Sequence, residues 1–404
     1  MFQFMSKAGV GFIASSPRSN LRIIDADSDY ISVNAIKAVC QACPKLVFLN
    51  LRSDNFPHRR RKISGDEAVK VIVQSCPLIQ VLPLDNWPLN DAAMDSLASI
   101  HTLTEFYLGD NVVHVMSSLA IQRVLQSNSN LVNIHLTGEF VDDSLVRCIG
   151  SHCRNLKKLH IELETFTFLT DPAFQDLFRG CPLLVNVELD LLEGVLSNTT
   201  LAAMFQCCRQ LSILKLATNS SMIAVGGEYV LDSSYPSLTE LRINLDAVAD
   251  TALRAIFTHC NNLRHVSLAD CDLVTDAAIK VLAHCCSLLD NLRIETCSMV
   301  TIAGTLEVAA QCTRLTHLSL ISQQINDELL TQLSLNCISL NTLMLQIYDG
   351  VVTEVGMAAV ADRCKHLKTF LLTASGFGRE TEMLLILECM NAKTLYRHIK
   401  FIVR

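Results

Sequence analysis

The chain has 404 residues, half of them hydrophobic and only 18% charged, so material for a large buried core is present. Its net charge of −7 argues against non-specific nucleic-acid binding, which needs a basic footprint. No run of about 18 apolar residues occurs, so no membrane span is expected.

Residues 1–20 read as a poorly ordered leader. They carry Lys7, Arg18 and several serines, and no acidic residue precedes Asp25, which also fits a targeting segment. A partial coil follows, with Leu21-Arg22-Ile23 as its strand and Ile31 to Cys43 as its helix. From there an L-x-x-L-x-L pattern recurs. Its first position falls at Leu46, Ile79, Leu103, Leu131, Leu156, Leu184, Leu211, Leu238, Leu263, Leu289, Leu315, Leu340 and Leu367. The first step is 33 residues and the others are 24 to 28. The long step holds an insertion, Asp54 to Lys62, with the basic run His58-Arg59-Arg60-Arg61-Lys62. Two readings stand for that run: a solvated loop, or an anion-binding or nuclear-import patch. Residues 217–235 lack a clean helical stripe and read as an eroded repeat. After the last repeat, Glu380 to Met390 reads as a helix and Leu395 to Val403 as a degenerate strand. Residues 376–404 are therefore expected to cap the repeat array of 21–375.

Seventeen cysteines are present, and their positions matter more than their number. Ten stand three residues before the first motif position: Cys43, Cys76, Cys153, Cys181, Cys208, Cys260, Cys286, Cys312, Cys337 and Cys364. Cys271 and Cys297 form a second register. A small, apolar side chain suits a tight corner that every coil turns at the same place. The spacing therefore predicts reduced thiols packed as core residues, and a reducing compartment. Between motifs, Thr275-Asp276 precedes a stripe of Ile279, Leu282, Ala283 and Cys286 at i, i+3, i+4 and i+7, one face of a helix. Equivalent helix starts appear at Asn90-Asp91, Asp142-Asp143, Thr170-Asp171, Thr301, Asn326-Asp327 and Thr353-Glu354. Each repeat is thus a short strand, a turn and a helix. The fold class that follows is an α/β right-handed solenoid of horseshoe form. Narrow parallel strands lie on its concave side and wider helices on its convex side.

This pattern, C-x-x-L-x-x-L-x-L followed by a V/I-T/N-D helix start, runs from Cys260 to Asp276 and again from Cys286 to Thr301. It resembles the cysteine-containing leucine-rich-repeat subfamily best known from F-box/LRR proteins. The resemblance covers residues from about 40 to 375. It implies a protein-binding solenoid that serves as a substrate-recognition arm of SCF-type ubiquitin ligases. That family carries an F-box of about forty residues ahead of the repeats, and none is visible here. The other reading is a stand-alone repeat scaffold or inhibitor unrelated to ubiquitin.

Motifs of phosphate, dinucleotide, zinc-protease or serine-hydrolase chemistry are absent. No catalytic residue, cofactor or metal is expected. Function is then assigned to the concave strands, where alternate residues face outward. Nine members of the middle strand column are taken as partner-contacting: Tyr107, His135, His160, Glu188, Lys215, Arg242, Arg293, Met344 and Leu371. Asn50, Pro83, Ser267 and Ser319 share the column. Glu162, Glu240, Asn186, Glu295 and Ile321 are among the flanking residues. The spacing of His135, His160 and Glu188 would allow a metal or a pH response, but ordinary cross-strand hydrogen bonding is the expected arrangement. Mixed charge on this surface suits a protein partner, SCF components included, and argues against nucleic acid and membrane. The expected location is cytoplasmic or nuclear.

Overall fold

The computed structural model describes residues 20–27, 32–52, 65–85, 87–109, 116–163, 169–191, 197–218, 231, 233–245, 248–322, 325–347, 352–374 and 400–403. The leader, the basic insertion with His58–Lys62, most of 217–235 and the expected helix Glu380–Met390 lie outside those residues. The chain divides into two compact units. One is Met1–Gly194 with Gln206–Gln210, and the other is Val195–Phe205 with Leu211–Arg404.

In the first unit, strands and helices alternate: β1 Ile23–Asp27, α1 Val33–Ala42, β2 Phe48–Arg52, α2 Gly65–Ser75, α3 Asp91–Ala98, β3 Glu105–Leu108, α4 Ser118–Ser127, β4 Asn133–Thr137, α5 Asp143–His152, β5 Lys158–Glu162, α6 Asp171–Gly180 and β6 Asn186–Leu191. β1 pairs with β2, and β3 through β6 form a parallel run in strict register. The N-terminal strand begins at Ile23, two residues later than the pattern Leu21-Arg22-Ile23 predicts. The repeat at Ile79 makes no strand. It is reduced to single-residue bridges of Val81 with Phe48 and with Glu105. Pro83 explains this, because it brings no backbone N–H to the ladder.

The second unit continues the alternation: α7 Asn198–Cys207, β7 Ile213–Thr218, β8 Glu240–Leu245, α8 Asp250–His259, β9 His265–Ala269, α9 Asp276–Cys285, β10 Asn291–Glu295, α10 Ile302–Gln311, β11 His317–Ser322, α11 Asp327–Asn336, β12 Thr342–Ile347, α12 Glu354–Arg363, β13 Thr369–Ala374 and β14 Lys400–Val403. Strands β7 through β14 are parallel neighbours in sequence order. The last, β14, pairs with β13 and covers the end of the degenerate strand expected at Leu395–Val403. This is leucine-rich-repeat solenoid architecture.

All thirteen first-position residues, from Leu46 to Leu367, are at most 3% exposed. Each contributes roughly 2 kcal/mol of apolar burial. The ten ladder cysteines are at most 1% exposed, and the sixteen described cysteines are free thiols. Eight of the ten ladder cysteines are the C-cap residues of helices α1, α5, α6, α8, α9, α10, α11 and α12. Three of them show their thiols donating to a pair of carbonyls of the preceding coil: Cys181 to Ile149 and Cys153, Cys286 to Phe257 and Cys260, Cys337 to Ala309 and Cys312. Burial pushes the thiols of Cys181, Cys260, Cys312 and Cys337 up to about 12, which makes them poor nucleophiles. Asn128 replaces cysteine at one corner. Its amide donates to the Val124 carbonyl while its Oδ1 accepts from the Leu103 N–H, so it spans two coils.

The helix starts hold a second inter-coil device. Asp276 opens α9, and its carboxylate accepts from the N–H and hydroxyl of Thr301, the N-cap of the next helix, at 2.8 and 2.6 Å. The same pair of bonds joins Asp91 to Ser117, Asp250 to Thr275 and Asp327 to Thr353. Asp143 holds Thr170 likewise, and Thr170 makes no cap bond to its own helix, where Pro172 lacks the N–H that Ala277 and Ala303 supply to their caps. Gly304 makes room for this carboxylate, since a Cβ there would lie 2.5 Å from Asp276 Oδ1.

Candidate protein-binding face

The parallel registers place the predicted column residues opposite one another. In the first unit Tyr107, His135, His160 and Glu188 form one row across β3 to β6. In the second unit the row is Lys215, Arg242, Ser267, Arg293, Ser319, Met344 and Leu371. Two column or flank residues depart from the outward placement. Asn50 is 1% exposed and donates to Asp25 at 2.9 Å on the neighbouring strand. Glu295 is 9% exposed, because Arg293 folds over it and Ser319 donates to it at 2.9 Å.

The row of the first unit is knit together. The Tyr107 hydroxyl donates to Glu105 and accepts from the Asn133 amide at 2.6 Å. Burial and the Glu105 contact hold the phenol above its ordinary pKa. The Tyr107 ring meets His135 edge-on at 6.1 Å, and His135 stacks on His160 at 4.1 Å with planes 27° apart. His135 Nε2 lies 3.2 Å from the Thr137 hydroxyl. Burial, with His160 beside it, pushes His135 down to about 4, so its ring is neutral at neutral pH. His160 Nδ1 lies 3.2 Å from Glu188 Oε2, and Asn186 donates to the other Glu188 oxygen at 3.1 Å. The cross-strand hydrogen bonding expected from the sequence is present. Asn133 and Thr137 were not among the predicted residues, although alternation alone places both beside the column.

The second unit's row differs in kind. Arg242 donates to Glu240 on its own strand at 2.7 Å, and Arg293 to Glu295 on its own strand. Both guanidinium side chains remain more than half exposed. Met344 is 39% exposed, while Leu371 and Ile321 are half-buried, so the row turns from cationic to apolar toward β13. This surface offers charge and apolar contact. Among the described residues, no helix is long and apolar enough to cross a membrane.

No family model matches the chain. Over 181 residues it is 27% identical to F-box protein SKIP19 of Arabidopsis thaliana, across 45% of this chain and 57% of that protein. The chain thus spans a little over half the length of that curated relative. Among solved structures it is similar to a chain of the yeast Rad7 and Elc1 complex, with TM-score 0.49 and 16% identity over 74% of this chain and 77% of that one. An internalin of Listeria monocytogenes, InlF, gives TM-score 0.47 and 15% identity over 88% and 78%. The functional domain of InlJ from the same organism, which includes a cysteine ladder, gives 0.48 and 12% over 88% and 65%.

Proposed function

We propose that the chain is a scaffold that offers its strand columns to a partner protein, as the substrate-recognition arm of an assembly related to SCF-type ubiquitin ligases. One observation carries this reading. From β3 to β13 the middle column reaches the surface without repeating one chemistry. Tyr107, His135, His160 and Glu188 present aromatic and polar edges. Lys215, Arg242, Arg293, Met344 and Leu371 present cations and apolar ends. Tyrosine, arginine and methionine are side chains that protein interfaces favour, and mixed charge sets register and partner choice. The partial similarity to an F-box protein supports the ubiquitin connection. On this reading the chain acts in the cytoplasm or nucleus by binding, with no catalytic residue or cofactor of its own. Strand β14, Lys400–Val403, pairs along β13 and is taken as part of the cap of the array.

The test is affinity purification with quantitative mass spectrometry, comparing wild type with the Lys215→Glu/Arg242→Glu variant. The variant is expected to lose its main partners about tenfold or more while keeping its circular dichroism spectrum. An unchanged partner set overturns the placement of the site. Partners recovered without any SCF adaptor support the second reading, a stand-alone scaffold or inhibitor.

A further inference from the structure

We propose that His135, His160 and Glu162 form a binding site for a divalent transition-metal ion of the zinc class, with Glu188 orienting one of its ligands. Strands β4 and β5 run in parallel, so register alone sets the two histidines side by side. Glu162 is two residues beyond His160 and therefore faces the same way. One ligand atom from each of the three lies within 4.8 Å of the others.

His160 carries the argument. Its Nδ1 lies 3.2 Å from Glu188 Oε2, and a carboxylate accepts there, so Nδ1 is the protonated nitrogen and, in the neutral ring, Nε2 is the one with the lone pair. That Nε2 is buried and has no hydrogen-bond partner. The Glu162 carboxylate stands 3.6 Å from it, too far for a hydrogen bond and unable to donate one when ionised. A buried acceptor left unpaired is unfavourable, because it has given up its water and gained nothing in exchange. A metal ion placed between the imidazole lone pair and the carboxylate satisfies both. A histidine whose distal nitrogen is held by a carboxylate is the usual support for a metal-bound imidazole. Glu188 is itself steadied by the Asn186 amide at 3.1 Å. Imidazole and carboxylate donors together suit zinc, copper, nickel or cobalt better than calcium or magnesium.

Tetrahedral zinc, with bonds of about 2.0–2.1 Å, needs its donors roughly 3.3 Å apart. The ligand atoms have to close in from their present spread. Glu162 has the freedom to do so, its side chain being 43% exposed. His135 must release Thr137, its partner at 3.2 Å. Three ligands from this chain leave one position for water.

The purified full chain should be stripped with chelator, its accessible thiols, such as Cys207 and Cys285, blocked by alkylation under native conditions, and titrated with Zn²⁺ and separately with Co²⁺. The expected result is one equivalent of tight binding by calorimetry and the visible absorption bands of tetrahedral Co²⁺. Glu162→Gln, on a partly exposed side chain, should weaken binding about tenfold or more, and His160→Gln should abolish it. Glu188→Gln should weaken binding about 10–100-fold without changing the one-to-one stoichiometry. His265→Gln, on an exposed residue of the second unit, should change nothing. Absence of binding overturns the proposal, as does binding that survives Glu162→Gln and His160→Gln unchanged. The measurement uses no partner protein, so its outcome is separate from that of the scaffold reading.

Discussion

The corner that ends each helix and the strand that follows it lie a few residues apart, yet they obey different rules. At the corner the same residue returns ten times, buried on every occasion, and in Cys181, Cys286 and Cys337 among others the thiol turns to the coil before it. In the strand column the residues run Tyr107, His135, His160, Glu188 in one unit. In the other they run from Lys215 and Arg242 to Met344 and Leu371. Sameness at the corner reflects one geometric task solved again in each coil. Variety in the column means that coil stacking does not dictate those side chains. The contrast separates what builds the solenoid from what is free to recognise something.

Substitutions at these places test the contrast. The largest effect is expected where coils are joined. Asp276→Ala removes two charge-assisted bonds to Thr301 and leaves its backbone N–H without that acceptor, which should cost about 3 kcal/mol in urea unfolding. Gly304→Ala crowds the same carboxylate, so a double-mutant cycle of the two should fall well short of additivity. At the corner, Cys337→Ala loses the thiol contacts to Ala309 and Cys312 and leaves a small void. A loss of about 1–2 kcal/mol is expected, and a neutral result would remove the packing role given to the cysteines. In the column, Arg293→Ala should shift stability by no more than about 0.5 kcal/mol, because its side chain is more than half exposed. A larger loss would make the strand face a structural element and blur the distinction.

The period, the helix caps at Asn90, Asp142, Thr275, Thr301, Asn326 and Thr353, and the column itself were legible in the sequence. Each depends on spacing within one repeat, and spacing is what a sequence displays. What escaped depends on the neighbouring coil. Asp143 and Asp276 read only as residues of their own helix starts, whereas each carboxylate holds the next helix start, 25 or more residues along the chain. Asn50 and Glu295 read as outward-facing because alternation says so. Their burial comes from Asp25 in one case and from Arg293 and Ser319 in the other. The strand missing at Val81 was written in Pro83, whose lack of a backbone donor outweighs an otherwise correct apolar pattern. In the candidate site, the row was legible, but the unpaired nitrogen of His160 was not. It follows from a side-chain direction that only coordinates supply.

The aspartates that open α3, α5, α8, α9 and α11 give the array a polarity. A carboxylate reaches forward to the following coil, so that coil inherits its first-turn partner from the one before. In the second unit the handover passes from Asp250 to Thr275 and from Asp276 to Thr301. It lapses at Ile302, which stands where the next carboxylate would be, and resumes from Asp327 to Thr353. The junction between α10 and α11 therefore lacks a bridge that its neighbours have, and local opening of the array is expected there sooner than at Thr301 or Thr353.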